Sequence, residues 1–337
     1  MILSIESSCD DSALAITRIA DYTLLHHAKI SQETEHSHYG GVVPELASRL
    51  HATALPRLLE GAKPWLDQLK AVAITTQPGL AVTLNEGLMM AKTIAVMNHL
   101  PLIPVHHLKG HIYSLFIDKP TRLPLLVILI SGGHTMVLRV QGIEDMEILA
   151  TSMDDSVGES FDKTAKMLGL GYPGGPIIEQ LAREGDEDRF DLPIPLRNSP
   201  LIAFSLSGLK NAVRLTIEKL GGAGKMTHQD QRDLAASFQK AVRDHLLQKT
   251  RKLFATETIP DVALVGGASA NLYLREAIDG LCQTFGKTLH VAPLEYCADN
   301  AAMIGRYGID AYHAGLFKNP HDVTITPNRK LQQGGML

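Results

Sequence analysis

An unbroken apolar run, LLVILI at residues 125–130, stands in the middle of the chain. A run of this length is typical of a strand buried on both faces, because a buried helix would need more residues. After a short SGG segment at residues 131–133, Met136, Leu138 and Val140 recur at every second position, as in a second strand. The pattern predicts a β-hairpin. Its glycines permit positive φ and let backbone N–H groups converge on an anion, with an ordinary hairpin turn as the alternative.

The chain begins with the same pattern. Residues 1–5 (MILSI) form an apolar run, residues 6–11 (ESSCDD) are small and polar, and residues 12–16 (SALAI) form a second apolar run. Two strand–turn–strand units about a third of the chain apart indicate an internal duplication. We therefore expect two lobes, each with one polar hairpin turn, and a phosphorylated ligand between them.

Strand-like and helix-like segments alternate through the rest of both halves. Helices are predicted from Pro44, through residues 87–92, from His107, after residues 154–156, from Ile177, after Phe204 and over residues 231–254; strands are predicted at residues 71–75, 102–105 and 262–265. This alternation is typical of α/β domains with parallel or mixed sheets. We place the domains at residues 1–115 and 116–337, with the final helix able to return to the first.

Composition narrows the class of protein. Of 337 residues, 45% are hydrophobic and 20% are charged, which indicates a folded globular chain. The net charge of -4 argues against a grip on nucleic acid over the whole surface, although a local basic patch is compatible with it. Three cysteines do not suggest a disulfide framework, and no segment resembles an export signal or membrane span. We expect a cytoplasmic protein with no membrane partner.

His107 and His111 are four residues apart, so on a helix they project from one face. Such a pair is either structural or half of a transition-metal site, and a metal needs a third ligand. Asp299, before a predicted helix, is the preferred candidate, with Asp10 and Asp11 as alternatives. Two histidines and one carboxylate suit iron(II), or zinc as the second choice. Without an H-E-x-x-H motif, a zinc protease is disfavoured.

A second glycine-rich element follows the predicted strand at residues 262–265. It reads GGASAN and ends at Asn271. Glycines between a strand and a helix let a ligand approach the backbone, and Asn271 can read a phosphate, a sugar or a base edge. Together with Gly174 and Gly175 in a further loop and the two hairpin turns, this element favours a nucleotide site.

Nine motifs occur in one order along nearly the whole chain: ESSCDD, YGGVVPELASR, HHLKGH, ISGGHT, GESFDK, GYPGGP, FSLSGLK, GGASAN and CADNAAMIG. This set resembles the TsaD family of tRNA N6-adenosine threonylcarbamoyltransferases. The resemblance implies the actin/hexokinase/Hsp70 (ASKHA) α/β fold, with two duplicated lobes around a central nucleotide cleft. It also implies transfer of a threonylcarbamoyl group from threonylcarbamoyl-AMP to the adenosine next to the anticodon (position 37) in tRNAs that read codons beginning with A.

The resemblance also assigns residues and partners. His107, His111 and Asp299 would hold one divalent metal, iron(II) or zinc. The threonylcarbamoyl-adenylate site would be lined by Leu129, Ile130, Ser131, Gly132, Gly133, Asp162, Gly175, Glu179 and Asn271. Partners would be tRNA, the metal-free paralogue TsaB and the ATPase TsaE.

Acyl transfer to an amine needs a proton acceptor, and we assign Asp10 or Asp11 of the first turn to the catalytic apparatus, with Asp10 preferred. One segment departs from the family pattern, because Asn85 and Glu86 replace usually apolar residues; we expect this change to affect partner contacts more than chemistry. The alternative function is an ATP-dependent kinase or carbamoyltransferase of the same fold. A kinase would normally hold magnesium by carboxylates and would have no use for paired histidines.

Overall fold

The computed structural model describes residues 1–328 and Leu331, which form two compact units. One unit contains Met1–Leu123 with residues 292–328 and Leu331, and the other contains Pro124–Val291. The division therefore differs from the expected boundary after residue 115. Arg306 explains part of the difference, because its guanidinium donates to the carbonyls of Phe116 (2.9 Å) and Lys119 (3.0 Å) and fastens that segment to the first unit.

Strands and helices alternate along the described chain. The strands are β1 (Ile2–Glu6), β2 (Asp11–Thr17), β3 (Leu24–Ser31), β4 (Ala71–Gln77), β5 (Leu102–His106), β6 (Leu125–Ile130), β7 (Thr135–Val140), β8 (Met146–Thr151), β9 (Asp261–Val265) and β10 (Thr288–Val291). The helices are α1 (Glu33–Ser37), α2 (Pro44–Ala62), α3 (Ala81–Met97), α4 (His107–Tyr113), α5 (Val157–Met167), α6 (Gly174–Ala182), α7 (Ser207–Lys219), α8 (His228–Phe254), α9 (Leu272–Thr284) and α10 (Ala301–His313). Short 3-10 helices include Ser114–Phe116 and Gly267–Ala270.

Each unit has a five-stranded mixed sheet, and the two sheets have the same topology. The strand orders are β3-β2-β1-β4-β5 and β8-β7-β6-β9-β10. In each sheet the first strand of the hairpin is antiparallel to the second and parallel to the strand on its other side. The predicted hairpins are thus β1–β2 and β6–β7, and the duplication extends to the whole sheet.

The two faces of the first sheet pack against different helices. Leu3 and Ile5 of β1 share a core with Leu55 of α2 and Leu88 of α3. On the opposite face the residues beside the start of α10 are small: Ser4 donates to the Ala301 carbonyl at 2.7 Å. Small residues there let α10 approach the strands closely, as alternation along a strand allows. That close contact fixes the start of α10, which follows Asp299.

The second unit is built around β6, all of whose residues are buried. Phe161 of α5 and Phe238 of α8 meet in this core with ring centroids 5.1 Å apart. Three strands, β3, β8 and β10, were missed by the sequence analysis. All three are edge strands: β3 and β10 contain only exposed and half-buried positions, and β8 has two buried positions among exposed and half-buried ones, so none shows a continuous apolar run.

Within residues 1–328, no helix combines the length and apolar composition needed to cross a bilayer.

A buried histidine in the second unit predicts a pH-dependent stability. Burial, and the nearby Lys249 ammonium, lower the pKa of His245 to about 4. In the unfolded chain His245 takes up a proton near its ordinary pKa of about 6.5, whereas the folded protein does so only near pH 4. The free energy of unfolding therefore decreases as the pH falls from about 6.5 toward 4. At pH 5 the loss is about 2 kcal/mol. Urea unfolding at pH 7 and pH 5 should show a smaller pH difference for His245→Gln, which retains an acceptor for the Ser205 amide. Equal pH differences in the two proteins would contradict the assignment.

Candidate functional site

The two histidines of the first unit lie on α4, directly after β5 ends at His106. Their rings are 4.6 Å apart between centroids and nearly perpendicular. The third predicted ligand residue, Asp299, precedes α10, and Asn300 caps that helix by accepting from the Met303 amide at 2.8 Å. The structure thus brings together His107, His111 and Asp299, which are far apart in sequence.

The donor atoms of these three residues suit one small ion. His107 Nε2 and His111 Nε2 each lie 3.2 Å from Asp299 Oδ1, and all three ligand atoms lie within 4.8 Å of one another. Ligands held at about 2.0–2.2 Å from one metal are roughly 3–3.5 Å apart. His111 is buried, yet neither ring nitrogen makes a well-aligned hydrogen bond within the described residues. A buried imidazole in that state fits a metal ligand better than a structural histidine.

The electrostatic surroundings shift the pKa values of the two histidines in opposite directions. Burial disfavours the cation, but Asp299 and Glu6 raise the pKa of His107 well above its usual value. For His111, burial dominates and lowers the pKa, although Asp299 opposes the shift. Burial would raise the pKa of Asp299, but His107 and His111 hold it well below the usual range. The charged carboxylate and the neutral form of His111 are the ligating forms.

The first hairpin turn places its aspartates differently from each other. The Asp10 carbonyl accepts from the Gln32 amide at 3.1 Å. The Asp11 carboxylate lies 2.9 Å from Lys29 Nζ, and the same ammonium is 3.4 Å from the Asp299 carbonyl. Neither aspartate belongs to the metal-type cluster, so the alternative third ligands are not supported. Lys29 was missed because its strand was missed.

In the second unit the SGG turn is anchored to the start of α5. The Ser131 amide donates to the His134 carbonyl (2.8 Å), and the His134 amide donates to Ser131 Oγ (3.1 Å). Ser156, which caps α5, donates to the Gly132 carbonyl. Leu129 and Ile130, the last residues of β6, are fully buried and support the turn from below.

The glycines of these loops fall into two kinds. A Cβ on Gly158 would lie 2.7 Å from the Gly132 Cα, and one on Gly174 would lie 2.7 Å from the Asp162 Cα. At Gly132, Gly133 and Gly175, an added Cβ would meet nothing described within 4 Å. The turn does not use the positive φ that its glycines permit, because neither Gly132 nor Gly133 has it. The Ser131–His134 hydrogen bonds close this turn without a left-handed residue.

The remaining predicted adenylate residues support the adjoining helices. Asp162 accepts from the Gly174 amide at 2.7 Å and holds α6 to α5. Glu179 accepts from the Leu272 amide at 3.0 Å. The Asn271 side chain caps α9 and donates to Gln239 at 2.9 Å. Gln239 carries no sequence signal of this role, because it lies mid-helix in α8.

Comparison with solved structures identifies the class of fold to which this chain belongs. Full-length HypF, in a phosphate- and nucleotide-bound crystal structure, superposes with a TM-score of 0.62 at 14% identity; the match covers 93% of this chain and 46% of HypF. Component A of the (R)-2-hydroxyglutaryl-CoA dehydratase of Acidaminococcus fermentans gives 0.54 at 15% identity, covering 92% of this chain and 96% of that chain. At such identities the likeness shows the fold alone. It defines the class: a duplicated α/β protein of the ASKHA type, as predicted.

The profile of the TsaD family, tRNA N6-adenosine threonylcarbamoyltransferase, matches residues 23–306. The chain belongs to this family, so the predicted family and transferase class are confirmed. The family member of Sulfurovum sp. (strain NBC37-1) is 71% identical over the full length of both chains. The member of Wolinella succinogenes is 58% identical, over 97% of this chain and 98% of its own.

Proposed function

We propose that this chain transfers the threonylcarbamoyl group of threonylcarbamoyl-AMP to N6 of adenosine 37 in tRNAs reading codons that begin with A. The adenine N6 attacks the carbamoyl carbon, the bond from that carbon to the AMP oxygen breaks, and AMP leaves with the bonding electrons. The N6 proton passes to a base, so the products are N6-threonylcarbamoyladenosine and AMP. The observation that carries the proposal is the His107–His111–Asp299 cluster in a member of this family.

His107, His111 and Asp299 would hold one divalent metal, iron(II) in the first place or zinc. Such an ion supplies Lewis-acid polarisation of a carbonyl oxygen and an orienting charge. The chain's own contribution is the shape of the site: α4 presents two imidazoles from one face, and the N-cap of α10 fixes the carboxylate beside them. Three protein ligands leave positions open for substrate. Magnesium, held by carboxylates and waters in kinases of this fold class, does not suit two imidazoles.

The adenylate would lie against the second unit. Among the described residues, neither the Gly132 nor the Gly133 amide donates to a backbone carbonyl. These amides are therefore free to donate to phosphate oxygens, as backbone groups commonly do in anion sites. The open space beside Gly133 and Gly175 supports a ligand passing close to both loops. Glu179 offers a carboxylate for ribose hydroxyls.

Asp10 or Asp11 would accept the proton, and the surroundings of Asp11 suit this role. Burial, opposed by Lys29, raises the pKa of Asp11 to about 6. A base with a pKa near the working pH is efficient, and such groups contribute about 10²–10⁴-fold. We expect Asp11→Asn to lower the single-turnover rate by that factor while metal content stays unchanged. In the parent, the rate should fall as pH drops below about 6, because Asp11 becomes protonated. A larger loss in Asp10→Asn would assign the role to Asp10.

The expected protein partners are TsaB and TsaE. The solvent face of α3 supports a helical contact, because Val82, Met89 and Val96 are exposed and recur every seven residues. That spacing suits packing against another helix, which a paralogue of the same fold would possess. Asn85 lies on the same exposed face, whereas Glu86 accepts from Ser48 of α2 at 2.7 Å. The unusual Asn85 is thus placed to influence partner choice. A tRNA substrate fits a cytoplasmic location.

The proposal is tested by reconstitution. Purified chain, tRNA and synthetic threonylcarbamoyl-AMP are combined with and without TsaB and TsaE, and the digested tRNA is analysed by mass spectrometry. We expect N6-threonylcarbamoyladenosine at position 37 only when this chain is present. ATP in place of the adenylate tests the kinase alternative. Phosphorylated product from ATP, with no modified adenosine from the adenylate, would contradict the proposal.

A further inference from the structure

Glu6 is a fully buried carboxylate at the end of β1. The Thr75 hydroxyl donates to its Oε2 at 2.5 Å, and the Ser8 amide donates to its Oε1 at 2.7 Å. The third contact is to His107, whose Nδ1 lies 3.1 Å from Glu6 Oε2. The two oxygens are therefore both engaged, one of them by the histidine of the metal-type cluster.

A carboxylate in this position needs a reason other than packing. Removing a charge from water is strongly unfavourable unless the charge is paired and hydrogen-bonded. Among the described residues, the ion-pair partner of Glu6 is His107. The other positions of β1 are apolar or a serine, so the strand itself does not call for an acid. The charge is thus associated with one imidazole.

The two imidazoles differ in what lies behind them. His107 Nδ1 lies 3.1 Å from Glu6 Oε2 and 3.3 Å from Ser8 Oγ, and its Nε2 lies 3.2 Å from Asp299 Oδ1. Both of its nitrogens therefore have a carboxylate neighbour, and Glu6 is the nearer of the two partners at Nδ1. His111 has Asp299 near Nε2, but its Nδ1 has no hydrogen-bond partner among the described residues. The ring of His107 is therefore oriented by a carboxylate at its Nδ1. The ring of His111 has no such group at Nδ1 among the described residues and is held by packing.

We propose that Glu6 is a positioning residue of the metal site: it accepts a hydrogen bond from the Nδ1–H group of His107 and so directs Nε2 toward a divalent ion. The inference rests on the proposed metal function. A carboxylate behind a ligating histidine fixes the ring and strengthens it as a ligand, and loss of such a group typically costs 10–100-fold in metal affinity. Glu6 and Asp299 together also carry two negative charges, which balance a divalent ion while His107 and His111 are neutral.

The competing interpretation is purely structural, because Glu6 also ties the first turn to β4 through Thr75 and Ser8. That interpretation predicts a loss of stability when Glu6 is changed, without a specific change at the metal. The test must therefore measure metal binding and folding separately.

The experiment titrates cobalt(II), a spectroscopic stand-in for iron or zinc, into full-length metal-free protein. Glu6→Gln keeps the size of the side chain and removes its charge, and it should raise the dissociation constant 10–100-fold and shift the cobalt absorption bands. Ser12→Ala is the matched control, since it removes a buried hydrogen bond to His51 (2.6 Å) from the same hairpin; its affinity should stay within about twofold of the parent. The double variant His107→Ala with His111→Ala should not bind cobalt at stoichiometric concentration.

The outcomes separate the two proposals. One outcome is that folded Glu6→Gln has the cobalt affinity and absorption bands of the parent while the double histidine variant does not bind cobalt. This outcome would overturn the role of Glu6 but would still support the metal site. Stoichiometric binding in the double variant would overturn the metal site itself. Should Glu6→Gln not fold, nitrogen NMR of the zinc-loaded parent labelled with 15N-histidine decides. We expect His107 with hydrogen on Nδ1 and zinc on Nε2, and zinc on Nδ1 would overturn the inference.

Discussion

Changing either histidine of the His107–His111–Asp299 cluster to alanine is expected to remove both the metal and the transfer activity. His107→Ala or His111→Ala deletes one of three ligands whose donor atoms lie within 4.8 Å of one another. Two remaining ligands hold a transition metal poorly, and the lost polarisation corresponds to several kcal/mol, or about 10³-fold in rate. Metal content by plasma mass spectrometry and modified adenosine by nucleoside mass spectrometry should fall together.

The control for this series is His313→Ala. His313 is an exposed histidine in the last turn of α10, the helix that begins just after Asp299. It should retain the parent's metal content and rate. Circular dichroism must show that each variant is folded, because His111 is buried. Full metal occupancy in a folded double variant, His107→Ala with His111→Ala, would refute the metal site.

Local patterns predicted much of this architecture. Both hairpins were readable because each consists of neighbouring segments with an apolar run and a polar turn. The His107–His111 pair was readable because helical spacing alone places both rings on one face. Asp299 was found through its position before a helix and through the family resemblance. These signals depend on residues close in sequence or on a recognised motif.

The contacts of Glu6 and Lys29 could be predicted only if the strand order of the first sheet were known. β1, β4 and β5 run parallel, so their carboxyl ends bring Glu6, Thr75 and His107 to one edge of the sheet. No sequence pattern gives that order. Lys29 lies beside Asp11 only because β3 pairs with β2 in the register that places Lys29 opposite Ala13. Its strand is half-buried and was not predicted, so its contact could not be.

The glycines show the same limit. Residue type does not distinguish Gly133, Gly158, Gly174 and Gly175, and only the family resemblance singled out Gly133 and Gly175. Three-dimensional packing gives the physical difference, because a neighbouring backbone crowds Gly158 and Gly174 whereas Gly133 and Gly175 have open space. This difference indicates which glycines of these loops have space beside them for a ligand.

A valine at Gly133 or Gly175 is expected to leave the fold intact and to weaken adenylate binding strongly. An added Cβ at either position meets nothing described within 4 Å, and neither residue has positive φ. The branched side chain would instead occupy the space proposed for the ligand. It would keep the phosphate or sugar away from the backbone amides, and a missed charge-assisted hydrogen bond costs about 1.5–3 kcal/mol. With the steric clash added, calorimetry with a non-hydrolysable adenylate should show affinity reduced at least about 10²-fold.

Two comparisons make the result specific to the ligand. Gly158→Ala and Gly174→Ala introduce only a methyl group, but into backbone 2.7 Å away, so they should destabilise the second unit by about 1–3 kcal/mol in urea unfolding. Gly224→Val, also in open space but outside the proposed adenylate residues, should change neither stability nor affinity. The expected pattern is thus binding loss without unfolding at 133 and 175, and unfolding at 158 and 174. If Gly133→Val and Gly175→Val bind the adenylate as tightly as the parent, the phosphate and sugar lie elsewhere.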